Sequence, residues 1–180
     1  MQRERCGMAN TPAFLTLRRN RDQVGRREVP IRRALVTLVS LFLLAGLLNL
    51  FGQRPGSSSA ATPAASIKVY APSRVRGGLY FEARFTIDAR RELENAMLVL
   101  DPGWVEGITV NTITPSPIGE ASRNGKLVFT LGHIRAGATY ILFMQLQVNP
   151  TNVGHRAQDV SLYDGGTLLA TIDRTITIFP

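Results

Sequence analysis

The chain has 180 residues, 44% of them hydrophobic, so one ordinary domain with a real core fits and two full domains do not. The formal charge of +8 would suit nucleic acid, but residues 1–33 carry nine arginines against three acids, and the other residues carry twelve Lys or Arg against ten acids. Basicity is therefore a property of one tail, and nucleic acid is not an expected partner. The single cysteine, Cys6, excludes an intramolecular disulfide and a zinc site built on several thiolates.

Residues 1–33 are polar, Arg-rich and mixed in sign, and read as a disordered cytoplasmic tail. A short amphipathic helix over residues 14–19 would be too brief to stand alone. Residues 34–51, ALVTLVSLFLLAGLLNLF, contain no charge. At 1.5 Å per residue such a run is about 27 Å long, near the ~30 Å of bilayer hydrocarbon. It reads as one transmembrane helix, with Leu41, Phe42, Leu43 and Leu44 at its centre. Arg26, Arg27, Arg32 and Arg33 crowd its N-terminal side, with only Arg54 close behind it. The excess of positive charge places the N-terminus in the cytoplasm and the remainder outside, as an uncleaved signal-anchor. A cleaved signal peptide is the alternative, with Ser59-Ala60-Ala61 as small residues for a peptidase. No cysteine follows the run, so a lipoprotein anchor is excluded.

Residues 52–66, GQRPGSSSAATPAAS, read as a flexible linker of small residues and prolines. From residue 67 the pattern turns to period two. Residues 67–70 alternate. In residues 79–88 Leu79, Phe81, Ala83, Phe85 and Ile87 share one face, with polar residues on the other. Residues 97–100 and 108–113 are short apolar or β-branched runs, and residues 126–131 follow an Asn124-Gly125 turn. In residues 139–148 Tyr140, Leu142, Met144, Leu146 and Val148 alternate against Ile141, Phe143, Gln145 and Gln147. Residues 159–163 and 167–171 flank Asp164-Gly165-Gly166, and residues 175–179 complete the set. Eight or nine short strands with Gly/Pro punctuation predict an all-β domain over residues 67–180, an antiparallel β-sandwich with a barrel as runner-up.

Four landmarks bear on family. They are Arg76-Gly77-Gly78 before a long strand, Asp101-Pro102-Gly103 after the next, Gly125-Lys126-Leu127-Val128-Phe129-Thr130-Leu131-Gly132, and Ala136-Gly137 before the strand at Thr139. This order resembles immunoglobulin-like domains of the conserved-repeat type found in bacterial membrane-anchored and cell-surface proteins, across residues 67–150. That family's Asn-X-Gly after the first long strand is absent, and Arg90-Arg91-Glu92 stands there. The resemblance implies an immunoglobulin-like sandwich acting in adhesion, spacing or assembly.

Catalytic signatures are sparse. His133, expected in a turn, and His155 have no ligand partner at metal spacing. Asp101, Asp159, Asp164 and Asp173 do not form an EF-hand and are expected to accept backbone amides at turns. There is no Gly-X-Ser-X-Gly elbow, dinucleotide fingerprint or P-loop, and nothing singles out a carboxylate pair among Glu82, Glu92, Glu94 and Glu106. The expectation is a non-enzyme without cofactor or metal, small-molecule ligands being unlikely. Trp104, the one tryptophan, lies in the loop of residues 101–107, where it either folds back on the core or anchors a partner. Trp104, Pro102 and Glu106 are the candidate partner-binding residues, and Arg32, Arg33 and Leu41 to Leu44 the candidate membrane anchor. The functional expectation is an accessory module tethered to the cytoplasmic membrane, displayed outside it and binding another membrane or envelope protein. Binding of cell-wall glycan or another surface polymer is the alternative.

Overall fold

Alternating burial, the expected signature of half-covered strands, runs through most of the β region of a computed structural model that describes residues 28–48, 50 and 53–180. The expected tail of residues 1–33 lies outside the described residues up to residue 27, and so do Cys6 and the short helix considered at 14–19. The chain falls into two parts, Met1–Leu50 and Phe51–Pro180.

In the first part, α1 spans Glu28–Leu47, six residues earlier at its start than the uncharged run. Pro30 is tolerated there because the first turn has no backbone hydrogen bond to lose. Twenty residues make a helix of about 30 Å. Its apolar side chains are uncovered, Leu38 and Phe42 at 67% each. It is long and apolar enough to cross a membrane, a test that a signal sequence also passes.

The second part is built of thirteen strands among the described residues. In chain order they are β1 (Pro55–Ala61), β2 (Ala65–Pro72), β3 (Arg74–Arg76), β4 (Tyr80–Ala89) and β5 (Leu93–Leu100), then a 3-10 turn at Pro102–Trp104. There follow β6 (Ile108–Thr114), β7 (Gly119–Arg123), β8 (Lys126–Ile134), β9 (Thr139–Val148), β10 (Gly154–Ala157), β11 (Val160–Asp164), β12 (Thr167–Ile172) and β13 (Thr175–Phe179). They form one five-stranded sheet in the order β1-β2-β4-β9-β6, another in the order β12-β11-β5-β8-β7, and a small sheet β10-β13-β3.

The two large sheets turn their alternate residues to a common core. Ile67, Val69, Phe85, Ile87, Leu142, Met144 and Leu146 come from the first, Leu98, Leu100, Phe129 and Leu162 from the second, and Val75, Ile176 and Ile178 from the third. Each such side chain removed from water contributes about 1.5–3 kcal/mol before entropy is counted. Asn124 (φ 51°) and Gly125 (φ 76°) close the β7–β8 hairpin in the left-handed region that a two-residue turn of this hand requires.

Three expectations are corrected. Residues 52–66 are not a linker throughout, since β1 pairs along its whole length with β2, Pro55 opposite Pro72 and Ala61 opposite Ser66. Main-chain bonds to a free sheet edge do not depend on side-chain type, so a Ser/Ala run forms a strand that propensity disfavours. The pairing is not wholly antiparallel: β13 lies parallel to β3, Ile178 opposite Val75. A parallel pair needs a long crossover, and here nearly the whole domain lies between the two strands. His133 belongs to β8 rather than to a turn. Beyond the nine predicted strands, β1, β3, β7 and β10 are new.

Candidate functional site

The loop after β5 is tied inward. Pro102 and Glu106 are exposed, but Trp104 is fully buried. Its ring centre is 5.2 Å from that of Phe85, and its indole N–H donates to the Gln158 carbonyl at 3.0 Å. The Gln158 side chain, itself fully buried, donates to the Gly103 carbonyl at 3.2 Å. Asn152 donates to the carbonyls of Glu106 and Gly107 at 3.1 and 3.0 Å. Gly103 sits so close to β10 that a Cβ there would lie 2.1 Å from the Ala157 carbonyl oxygen. The sequence reading that presents Trp104 as an exposed anchor is corrected: Pro102 and the glycines fold the loop back, and the indole fills the core. Pro102 and Glu106 stay at the surface without it, Glu106 3.9 Å from Arg156.

Arg174, which the sequence did not mark, lies behind the tryptophan. Its guanidinium carbon is 5.1 Å from the Trp104 ring centre, and its Nη2 donates to the carbonyls of Ala71 and Pro72, each at 3.2 Å. Burial pushes its pKa down to about 10, which leaves it charged at neutral pH. Nε and Nη1 are buried without a hydrogen-bond partner.

Two of the aspartates accept backbone amides, though from distant strands or loops rather than from their own turns. Asp164 accepts the Asn95 amide at 2.8 Å, and Asp159 accepts the Arg174 amide at 2.9 Å. Asp101 instead pairs with Lys126 at 2.7 Å. His133 meets Glu92 at 2.7 Å on the surface, and His155 meets the Thr177 hydroxyl at 3.0 Å. Among the described residues no three His, Cys, Asp or Glu side chains are grouped to hold a metal.

The outer face of the β12-β11-β5-β8-β7 sheet carries a shallow hollow. Met97 and Val99 of β5, Val128 of β8 and Tyr163 of β11 alternate with core residues and so point away from the core, half-buried. They line a hollow of about 320 Å³ rimmed by Arg123 and Lys126. Tyr163 stands opposite Met97, and Val99 opposite Val128, so the four form one apolar floor across three strands. The signal in the sequence was Met97-Leu98-Val99-Leu100, a strand apolar on both faces, which a solvated outer face does not require. A wider groove of about 580 Å³ runs beside the free edges of β6 and β7, past Ile113, Pro117 and Glu120.

The residues expected to anchor the chain all lie on α1. Leu41, Phe42, Leu43 and Leu44 are exposed, as are Arg32 and Arg33 near its start.

The chain matches no protein-family model and no curated protein. Among solved structures it is similar to the chitin-binding domain of a hyperthermophilic chitinase from Pyrococcus furiosus. The TM-score is 0.39 at 17% identity, covering 61% of this chain and 97% of that one. It is also similar to a non-cellulosomal cohesin from the archaeon Archaeoglobus fulgidus, with TM-score 0.40, 15% identity and coverage of 63% and 91%. A third is CaCohA2 from Clostridium acetobutylicum, with TM-score 0.39, 17% identity and coverage of 63% and 90%.

Proposed function

We propose that the chain is a non-catalytic binding module of immunoglobulin-like sandwich type, held at the cytoplasmic membrane by α1, with its N-terminus inside and its β part outside. The observation that carries this reading is α1 itself: twenty residues, none of them buried, with Leu41 to Leu44 all more than half exposed. In water so large an apolar surface is covered by a partner or by lipid, and its length fits lipid. The arginines on the N-terminal side give the orientation. The hollow over Met97, Val99, Val128 and Tyr163 is the proposed binding surface. It supports a protein of the membrane or envelope as partner, because a glycan platform asks for several coplanar aromatics and this floor offers only Tyr163.

Reporter fusions test the anchor and its direction. A reporter active only outside the membrane is expected to work when joined at Pro180 and to stay silent at the N-terminus. The reverse pattern, or release of the β part into the medium after cleavage near Ser59-Ala60-Ala61, would refute the reading.

A further inference from the structure

One end of the β part gathers cations and exposed apolar side chains. β1 enters its sheet at Pro55, opposite Pro72, and β4 starts beside it, the Gln53 side chain donating to the Tyr80 carbonyl at 2.9 Å. The pair Arg76–Phe179 brings β3 and the close of β13 to the same end, and the Gly77 amide donates to the Phe179 carbonyl at 2.8 Å. Arg54, Arg74 and Arg76 are exposed here, Arg76 also donating from Nε to the Pro180 carbonyl oxygen at 3.3 Å. Leu79 and Tyr80 between them are 43% and 64% exposed. Residues 53–56, 72–80, 149–155 and 178–180, which build this end, include no acid. Glu82, two positions beyond Tyr80 in β4, lines a hollow with it, and Glu106 faces Arg156. The opposite end, by contrast, mixes Arg90, Arg91 and Arg135 with Asp88 and Glu92.

We propose that this end docks on the anionic lipid headgroups of the bilayer that α1 crosses, Arg74 and Arg76 meeting phosphate and Leu79 and Tyr80 entering the interface. The inference rests on the anchor reading above. Pro55 follows Leu47 by eight positions. Eight residues reach at most about 29 Å, so a spanning helix tethers the chain's entry into this end close to the headgroups. Confinement of that kind raises the effective concentration of the surface, and a weak contact then suffices. Interfacial tyrosine and arginine on phosphate are the side-chain types a lipid surface selects.

The test uses the full chain with Cys6→Ser, reconstituted in vesicles of phosphatidylcholine alone or with phosphatidylglycerol. An environment-sensitive dye is placed by Ser73→Cys at this end or by Ala136→Cys at the other, and quenched by lipid carrying a nitroxide near the headgroup. Quenching is expected at position 73 in the anionic vesicles, little at position 136, with the docked-to-free ratio falling about fivefold for each of Arg74→Gln and Arg76→Gln. Trp104 emission reports that the fold is kept. Equal quenching at both positions, or equal quenching at position 73 in the two lipids, overturns the proposal. Alkaline carbonate extraction of the same vesicles separates the two readings. A chain that stays with the lipid while position 73 is unquenched defeats the docking alone, and a chain that is released defeats the anchor and the docking together.

Discussion

The guanidinium of Arg174 lies over the Trp104 ring, 5.1 Å from its centre, in a region where no carboxylate side chain pairs with the cation among the described residues. A cation taken from water costs several kcal/mol, and only the ring face and the carbonyls of Ala71 and Pro72 offset that here. Trp104 and Arg174 therefore depend on each other. A double-mutant cycle with Trp104→Phe and Arg174→Met, read by urea denaturation, is expected to show a coupling of about 0.5–2 kcal/mol. Trp104→Ala alone should cost about 3–5 kcal/mol, as expected for a large aromatic removed from a core. A loss under about 0.5 kcal/mol would mean that the indole is a surface group.

Gly103 gives a sharper probe of the same loop. Its missing Cβ leaves room for the Ala157 carbonyl oxygen, which a methyl group would meet at 2.1 Å, and the obstacle is backbone. Gly103→Ala should destabilise by about 1–3 kcal/mol or more, since β10 must shift. Gly56→Ala in β1 serves as the control: nothing lies within 4 Å of its Cβ position, so thermal melting should barely change. Equal effects at the two sites would show that β10 is not packed against the loop.

How much of this was legible in the sequence depended on periodicity. β4 and β9 pair from Tyr80–Gln147 to Asp88–Thr139, and both were plain because apolar and polar residues alternate along their length. Leu79 was the exception: it continues the period but lies outside β4 and is 43% exposed. β1 was hidden because Ser and Ala carry no pattern, and its pairing is a matter of main chain. The position of Trp104 was undecidable from residues 101–107, since Pro and Gly turn a loop outward or inward alike. What settles it is Gln158 and Asn152, some fifty residues away, and no local rule links them to the loop. The hollow was not read from the sequence: residues 97–100 stood out only as a short apolar run, and Met97, Val99 and Tyr163 gained their meaning from the pairing of β11 with β5.

The Lys126–Asp101 pair at the rim of the hollow sets a pH dependence. The hydrogen bond to Asp101, with attraction from that carboxylate and from Asp159, holds the lysine above its usual value of 10.5, against a smaller opposing effect of burial. A raised folded value means that the pair contributes stability fully below pH 10.5 and loses it as pH rises through the folded value. Lys126 is about half exposed, so the contribution is under about 1 kcal/mol and shrinks with salt. Urea midpoints of the wild type and Lys126→Met are expected to differ slightly at neutral pH and to converge well above pH 10.5. A gap that widens with pH would contradict the assignment.

The hollow itself is open to a direct trial in membranes. Its floor is Met97, Val99, Val128 and Tyr163, held flat by strand pairing, so little ordering is needed when a partner binds. A photoreactive side chain at Val128 should give a discrete adduct in intact cells, while one at Thr86, on the outer face of the other large sheet, should not. An aromatic at the centre of an interface is worth about 2 kcal/mol, so Tyr163→Ala should weaken capture roughly thirtyfold. The same change should cost far less stability than Trp104→Ala, because Tyr163 is half-buried on the outer face and Trp104 has no exposed surface. If the adduct at Val128 persists undiminished in Tyr163→Ala, the hollow is not where the partner sits. If no protein adduct forms while the β part sediments with insoluble cell-wall material, the ligand is a glycan and the protein-partner reading fails.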